Sequence, residues 1–322
     1  MLPHSLTPDT DTPDTPAGPA CILVFNSNDP SGAGGLAADV GAIASVGAHA
    51  LPVVAGVYAR DTAHIFDFFP MDDEAVGEQA RAVLEDIEVQ AIKLGFVGTP
   101  DNLGVVAGIS ADYPDVPLIA HMPDLSWWTV DQIEAYHEAF SDLILPQTSV
   151  LTGNHSTLWR WLLPAWSGER NPTARDIAVA AGEHGANFTL VTGISTIDGQ
   201  IENTLAAPHS VVASEKFPRQ ERAFTGAGDT LSAALAALLA SDSELPQAFS
   251  EALSYLDRAL AGGFRPGMGS HMPDRLFWAQ PEDTAAAAEI EARTEPDNAI
   301  QQGENSSPSI QSPEPNTHDT PH

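Results

Sequence analysis

The sequence predicts an α/β fold in which a mostly parallel sheet is covered by helices on both faces. Apolar runs of strand length alternate with segments of helical period, and glycine and polar residues stand at the junctions between them. Such alternation is typical of parallel sheets, because parallel neighbours need a crossover connection that is usually a helix. Hydrophobic residues make up 43% of the 322 positions, which is enough for a large core.

The elements follow from these patterns in chain order. The predicted strands are Cys21–Phe25, Ala50–Tyr58, Ala91–Leu94, Leu118–Ala120, Ser149–Leu151 and Thr189–Thr192. The predicted helices are Gly34–Val46, Asp73–Asp86, Thr129–Phe140, Thr173–His184 and Thr230–Leu239. Open α/β sheets bind their ligands at the carboxyl ends of the strands. The polar loops that follow the strands are therefore the candidate sites.

Two polar tails flank this pattern. Residues 1–20 are rich in Pro, Thr and Asp, and residues 281–322 are rich in Glu, Gln, Ser, Asn and Pro. Segments of such composition bury too little apolar surface to fold, so both are predicted to be disordered acidic tails. We expect one folded domain over residues 21–280.

Charge and composition narrow the function classes. The formal net charge is −31 and no basic patch offsets it, which argues against a nucleic-acid partner. The sequence contains no run of about twenty apolar residues, so no membrane span is predicted. The N-terminus does not resemble a secretory signal, and the single cysteine, Cys21, excludes an internal disulfide. We expect a cytoplasmic protein that acts on a small molecule.

The most informative segment is a glycine turn that precedes a helix of small residues. Its sequence is Thr225-Gly226-Ala227-Gly228-Asp229. The glycines permit a tight backbone and close approach of a ligand, and free N–H groups at a helix start bind anions. Asp229 stands where a carboxylate can accept the proton of an attacking hydroxyl. The combination fits phosphoryl transfer. Alternatively, Asp229 is an N-cap on a core helix.

A second segment, residues 28–39, follows the first predicted strand. From its residues alone it is an Asp-Pro-Ser-Gly turn that caps a helix. It also resembles the signature Ser-Asp-Pro-Ser-Gly-Gly-Ala-Gly-Ile-Gln-Ala-Asp of hydroxymethylpyrimidine/phosphomethylpyrimidine kinases. The residues that agree at identical spacing are Asp29, Pro30, Ser31, Gly32, Gly35, Ala38 and Asp39.

The glycine turn supports the same resemblance, since the ribokinase superfamily carries Gly-Ala-Gly-Asp late in the chain. The similarity covers roughly Cys21 to Trp278. It implies a ribokinase-like three-layer sandwich, ATP and Mg²⁺ as cofactors, and possible assembly as a homodimer. It also implies phosphorylation of the hydroxymethyl group of 4-amino-5-hydroxymethyl-2-methylpyrimidine in thiamine biosynthesis. In the family, the same elements phosphorylate the monophosphate.

The resemblance also implies roles for individual residues. Asp229 is the implied catalytic base, and Gly226, Ala227 and Gly228 are the implied anion hole. The implied substrate-side residues are Asp29, Gly32, Arg60 and Phe96. The implied nucleotide-side residues are Asn154, Thr192, Thr225, Gly226 and Gly228.

Several positions depart from the family pattern. Arg60 replaces the glutamine that contacts the pyrimidine, and it either favours an anionic group on the substrate or pairs with an acid such as Asp61. Phe96 replaces a methionine of the ring pocket, and it either stacks on a flat heterocycle or packs in the core.

Other departures concern the metal. The acids that organise magnesium in the family are absent at Ala120 and Thr157, and a family lysine is Thr192, so we assign no metal ligand. His121 is expected to be a structural or surface residue. Two alternatives to the pyrimidine kinase therefore stay open. One is a pyridoxal-type or other small-alcohol kinase of the same superfamily, and the other is a catalytically degenerate pyrimidine-binding protein.

Overall fold

Nine strands and eight α-helices succeed one another along residues 18–279, the part of the chain that this computed structural model describes. The strands are β1 (Cys21–Asn28), β2 (His49–Arg60), β3 (Ile65–Pro70), β4 (Ala91–Leu94), β5 (Leu118–Met122), β6 (Thr148–Asn154), β7 (Phe188–Ser195), β8 (Gln200–Ala207) and β9 (Ser210–Pro218). The helices are α1 (Gly35–Ser45), α2 (Asp73–Leu84), α3 (Pro100–Asp112), α4 (Val130–Ala139), α5 (His155–Leu162), α6 (Ala174–Glu183), α7 (Ala227–Ala240) and α8 (Leu245–Ala261).

The strands form one sheet in the order β3-β2-β1-β4-β5-β6-β7-β8-β9. The six central strands, β2, β1, β4, β5, β6 and β7, pair in parallel, which confirms the predicted mostly parallel sheet. The edges differ, since β3 runs antiparallel to β2, and β8 and β9 extend the sheet antiparallel from β7. The connections into these edge strands are short turns, which allow an antiparallel pairing but not a parallel crossover.

Helices cover both faces and bury two hydrophobic layers. Helices α1, α7 and α8 pack on one face, and α2 to α6 pack on the other. In β1 the residues from Ile22 to Ser27 are all buried, as expected for a central strand covered on both sides. Helix α7 is rich in alanine, and Ala233, Ala234 and Ala237 are fully or almost fully buried. These small side chains let the helix lie close to the sheet.

The strand order places a crevice beside β1. The chain passes from β1 to β2, which pairs with one edge of β1, and later to β4, which pairs with the other edge. Ligands of open α/β sheets bind at such a reversal, outside the carboxyl ends of the strands. The loop after β1 and the residues after β4 both open into this region.

The predicted elements coincide with observed ones, and six further elements were not predicted. Each of the six predicted strands lies within an observed strand, and the predicted helices overlap α1, α2, α4, α6 and α7. The additions are α3, α5, α8, β3, β8 and β9. Helix α3 contains two glycines, which weaken a helical signal, and β3 is a largely exposed edge strand.

Most residues of the two predicted tails lie outside the part of the chain that the structure describes. The predicted C-terminal tail, 281–322, and residues 1–17 of the predicted N-terminal tail lie outside the described residues, so their disorder and the bounds of a single domain stay predictions. Between residues 18 and 279, no helix combines the length and apolar character needed to cross a bilayer.

Candidate active site

A cavity of 540 Å³ opens at the carboxyl ends of the parallel strands. Ten residues that the sequence predicted for the site line its wall, namely Asp29, Arg60, Phe96, Asn154, Thr192, Thr225, Gly226, Ala227, Gly228 and Asp229. Gly32 stands outside this wall, in the turn after Asp29, where its φ of 73° suits glycine. The fold therefore brings together segments that are far apart in the chain.

The glycine turn before α7 depends on both of its glycines. Gly226 is the N-cap of α7 and adopts a left-handed conformation with φ of 86°. A Cβ atom there would overlap the carbonyl oxygen of Ala33, and a Cβ atom on Gly228 would lie 2.5 Å from the ring of His121. The first N–H groups of a helix have no partner within it. The turn thus leaves N–H donors at the start of α7 available for an anion.

Asp229 lies in the first turn of α7 and is held by three donors. Its Oδ1 atom accepts from Lys93 Nζ at 3.1 Å and from Asn26 Nδ2 at 3.1 Å. Its Oδ2 atom accepts from the backbone N–H of Gly35 at 2.9 Å. The side chain remains 19% exposed. The carboxylate is therefore fixed in position while one part of it is open to the cavity.

These donors also determine the charge of Asp229. Burial by itself would raise the pKa of this carboxyl, but the charge of Lys93, the charge of His121 and the hydrogen bonds from the Gly35 N–H and Lys93 together outweigh burial. The result is a pKa of about 2, well below the ordinary 3.8. Asp229 is thus ionised at neutral pH and can accept a hydrogen bond from a substrate hydroxyl.

Lys93 links Asp229 to a second, deeper carboxylate. Lys93 Nζ lies 2.7 Å from Asp39 Oδ1, and both side chains are fully buried. Asn26 Nδ2 donates to Asp39 Oδ2 at 2.7 Å as well as to Asp229. Burial would lower the pKa of Lys93, but the two carboxylates raise it above its ordinary value. The lysine is therefore a permanent cation between two acids.

Asp29 organises the loop after β1. Its Oδ1 accepts from the N–H and the hydroxyl of Ser31, at 2.8 and 2.6 Å. Its Oδ2 accepts from the N–H of Gly34 at 2.9 Å and lies 3.3 Å from Arg60 Nη1. Four donors surround a single carboxylate, so Asp29 shapes the loop in addition to lining the cavity.

Arg60 takes the second of the two arrangements considered for it. Its guanidinium pairs with Asp29, and its Nε donates to the carbonyl of Asp61 at 3.1 Å. The side chain is 10% exposed and forms part of the cavity wall. Its charge is therefore largely matched within the protein, although it borders the space that a substrate would occupy.

Arg275 joins the loop after β1 to α7. Its guanidinium donates to the carbonyl oxygens of Gly32, at 3.2 Å, and of Ala33. Its Nε donates to the hydroxyl of Thr230 at 2.9 Å. Sequence reasoning did not point to Arg275, since the only signal is a cation in a segment without a recognised motif. The side chain holds the two segments of the site in contact.

Aromatic side chains form one part of the wall. Phe96 stacks on Tyr58 with ring centroids 5.8 Å apart, and Trp127 meets both rings edge-on at 5.7 and 5.9 Å. All three line the cavity, so Phe96 both packs in the core and borders the site. Flat aromatic surfaces suit a planar heterocycle. Tyr58 and Trp127 were not among the predicted site residues.

His121 lies in the cavity wall at the end of β5. Its Nδ1 is 3.0 Å from the hydroxyl of Thr152 on the neighbouring strand, and the side chain is 8% exposed. Burial lowers the pKa of this imidazole to about 4. The prediction of a surface or structural histidine is therefore incomplete, because the residue is buried and borders the site.

The nucleotide-side candidates lie at the ends of β6 and β7. Asn154 caps α5, where its side-chain oxygen accepts from the N–H of Ser156 at 3.0 Å. Thr192 donates to the carbonyl of Gly153 at 3.3 Å. Thr157, which stands where the family has a glutamate, also lines the cavity. These groups are neutral, so they offer hydrogen bonds but no charge to a ligand.

Acidic side chains in the wall decide whether a divalent cation fits. Within residues 18–279 no group of three or more potential ligands surrounds one point. Asp29 and Asp229 are paired with Arg60 and Lys93, and the exposed Asp124 has a longer pairing with Arg160, with 3.6 Å between Oδ1 and Nη2. Mg²⁺ retains waters and binds substrate phosphates, so a single protein carboxylate is compatible with it.

Comparison with known proteins identifies the family. Residues 29–274 match the family model described as phosphomethylpyrimidine kinase. The chain belongs to the phosphomethylpyrimidine kinase family. This match confirms the family inferred from the loop after β1 and the glycine turn, and with it the expectation of an enzyme that transfers phosphate to an alcohol.

Individual relatives agree with the family match. The chain is 27% identical over 260 residues to a hydroxymethylpyrimidine/phosphomethylpyrimidine kinase of Streptomyces coelicolor, covering 80% of this chain and 94% of the relative. It is 28% identical over 256 residues to a protein of the same name from Rhizobium meliloti, covering 78% and 94%.

A solved structure agrees with the fold. An ADP complex of Bacillus subtilis pyridoxal kinase superposes with a TM-score of 0.74 at 18% identity, covering 82% of this chain and 100% of that one. At this identity the similarity shows a shared fold, which confirms the predicted ribokinase-like sandwich.

Proposed function

We propose that this protein transfers the γ-phosphoryl group of ATP to the hydroxymethyl group of 4-amino-5-hydroxymethyl-2-methylpyrimidine, a reaction of thiamine biosynthesis. The observation that carries the proposal is an ionised, partly exposed Asp229 at the start of α7, in the same cavity as the aromatic rings of Tyr58, Phe96 and Trp127. Membership of the phosphomethylpyrimidine kinase family supports the choice of acceptor.

The acceptor hydroxyl is activated by Asp229. The pyrimidine ring packs against the aromatic wall, and its hydroxymethyl group donates a hydrogen bond to the Asp229 carboxylate. The oxygen then attacks the γ-phosphorus while its proton passes to Asp229, and the bond between the γ-phosphorus and the bridging oxygen breaks. The electron pair of that bond leaves with ADP. Most of the catalysis comes from positioning and charge stabilisation, as in other phosphoryl transfers.

The start of α7 stabilises the group in transfer. The backbone N–H groups of Ala227 and Gly228 and the positive end of the helix dipole offer donors to the phosphoryl oxygens. The remaining nucleotide phosphates then lie towards Asn154, Thr192 and Thr225, which line the same cavity. When bound, Mg²⁺ supplies charge neutralisation on the phosphates, and Asp124 is the carboxylate that this wall offers to it.

Two other functions have specific support. The Arg60–Asp29 pair in place of the family's glutamine favours an acceptor other than the usual pyrimidine, such as pyridoxal. The absence of acids at Ala120 and Thr157 favours a binding protein that has lost catalysis. The intact donors around Asp229 oppose the second of these. Homodimer formation and a cytoplasmic location stay predictions.

The test is an ADP-release assay with Mg²⁺-ATP and, in separate reactions, hydroxymethylpyrimidine, its monophosphate and pyridoxal. Turnover with the pyrimidine supports the proposal. Turnover with pyridoxal alone would show that pyridoxal is the acceptor. Asp229→Asn is expected to lower turnover by roughly 10²–10⁴-fold, because it removes a general base. The exposed Asp131 on α4 provides the matched control, Asp131→Asn. Pyrimidine binding in calorimetry without any turnover would favour the binding protein.

A further inference from the structure

We propose that His121 is a further catalytic residue and that its Nε2 atom donates a hydrogen bond to the phosphoryl group in transfer. The inference rests on the proposed kinase function and adds a side chain to the anion hole at the start of α7. It begins from the position of the ring, which forms part of the cavity wall although the residue is only 8% exposed.

One edge of the ring is anchored to β6. His121 and Thr152 are direct neighbours in the parallel pairing of β5 with β6. Nδ1 of His121 lies 3.0 Å from the Thr152 hydroxyl and 3.3 Å from the Thr152 carbonyl oxygen. Both contacts engage the same ring nitrogen, so they fix the direction of the other.

The opposite edge faces the anion hole. A Cβ atom on Gly228 would lie 2.5 Å from both Cε1 and Nε2 of His121, which places this edge against the first turn of α7. Nε2 has no hydrogen-bond partner among residues 18–279. The atom is not among the fully buried unpaired atoms of these residues, so it is open to the cavity. The cavity is where a partner can bind.

The local chemistry allows Nε2 to be a donor. Burial lowers the pKa of His121 to about 4, so the ring is neutral in the free protein. The Thr152 carbonyl oxygen can only accept and favours a hydrogen on Nδ1, whereas the Thr152 hydroxyl can donate to Nδ1 and leave the single ring hydrogen on Nε2. An anionic phosphoryl group beside Nε2 selects the second arrangement. A neutral N–H donor adds to the N–H groups of Ala227 and Gly228 at the developing charge. The His121 proton stays on the ring throughout, since Asp229 accepts the proton of the hydroxyl.

Two substitutions distinguish the hydrogen bond that Nε2 donates from the contacts that hold Nδ1. His121→Asn keeps an amide near the Nδ1 position but has no atom at the Nε2 position, whereas the longer His121→Gln places an amide N–H near Nε2. We expect His121→Asn to lower kcat by about 10²-fold, as for the loss of one oxyanion donor, with KM for the pyrimidine unchanged. His121→Gln is expected to recover part of that loss. Equal kcat values for the two variants would overturn the assignment.

A binding measurement tests the same contact without turnover. In calorimetry, His121→Asn is expected to weaken ATP binding and to leave ADP binding unchanged, because only ATP carries the γ-phosphoryl group. Thr152→Val, which removes the hydroxyl that can donate to Nδ1, is expected to act in the same direction and serves if His121→Asn does not fold. Equal effects on ATP and ADP in both folded variants would overturn the proposal.

Different results would contradict the proposed kinase function and the proposed role of His121. Wild-type protein that binds ATP but phosphorylates no acceptor contradicts the proposed function, while a selective loss of ATP affinity in His121→Asn still supports the contact with the γ-phosphoryl group. Wild-type protein that binds neither ATP nor ADP contradicts both. Thermal unfolding of each variant provides the control for folding.

Discussion

Lys93 and Asp229 form an ion pair at the edge of the cavity, with 3.1 Å between Nζ and Oδ1. The lysine is fully buried, whereas the aspartate is 19% exposed. Since Lys93 also lies 2.7 Å from the buried Asp39, one cation stands between two carboxylates. This arrangement keeps Asp229 ionised and oriented before any substrate arrives, and four predictions follow from it and from its surroundings.

Replacing Lys93 is expected to destabilise the fold. Lys93→Met leaves Asp39 buried without its cation, and breaking a buried ion pair in this way costs about 3–5 kcal/mol. Urea unfolding measures the free energy. The double variant Lys93→Met/Asp39→Asn is expected to recover much of the stability but not the turnover, because Asp229 has still lost its partner. Wild-type stability in Lys93→Met alone would contradict the buried ion pair.

The titration of Asp229 is expected to lie below that of an ordinary aspartate. Its folded-state pKa of about 2 is lower than 3.8, so the ionised group stabilises the fold above pH 3.8. That stabilisation is lost as the pH falls through about 2. Carbon-13 NMR of labelled aspartate, assigned with Asp229→Asn, measures the midpoint. A midpoint above 3.8 would show that Lys93, His121 and the Gly35 N–H together do not outweigh burial.

The N-cap of α7 is expected to tolerate only glycine. Gly226→Ala requires an alanine at φ of 86° and places its Cβ against the Ala33 carbonyl oxygen. The left-handed conformation alone costs about 1–2 kcal/mol, and loss of the turn geometry is expected to abolish turnover. Gly104→Ala in α3 is the matched control, since its Cβ would meet no atom within 4 Å. That control is expected to stabilise the fold by about 0.5–1 kcal/mol. Equal effects of the two substitutions in urea unfolding would contradict this account.

The aromatic wall is expected to contribute to acceptor binding. Trp127→Ala removes one ring that lines the cavity, and we expect the dissociation constant for hydroxymethylpyrimidine to rise about tenfold, which is 1.4 kcal/mol. Calorimetry measures the affinity. Phe66→Ala on β3 is the control, because that ring is 68% exposed and lies outside the cavity. An unchanged affinity in Trp127→Ala would remove this wall from the binding site.

Much of the site was visible in local sequence. The glycine turn at 226–229 and the loop at 28–39 are contiguous segments, and their backbone requirements are encoded by glycines at fixed spacing. Predicting them needed no knowledge of which segments pack together. The same holds for the central strands, whose continuous apolar runs reflect burial on both faces.

The remaining contacts depend on chain segments that are distant in sequence. Lys93 lies within the predicted strand Ala91–Leu94, and its role appears once β4 lies beside the start of α7, 136 positions further on. Arg275 bonds Gly32 across 243 positions, and no local pattern marks either residue for the other. The sequence does not show which way the ring of His121 points, and its place in the cavity wall depends on that direction.

By itself, the sequence therefore determined the α/β class, the parallel core of the sheet, the family and the two glycine segments of the site. These properties arise from periodicity and backbone freedom, which act over a few neighbouring residues. The tertiary structure alone decided the pairing of Arg60 with Asp29, the placement of Lys93 between two acids and the position of His121 against Gly228. Charge pairing and burial depend on which side chains meet in space, and only the packing of helices on the sheet specifies that.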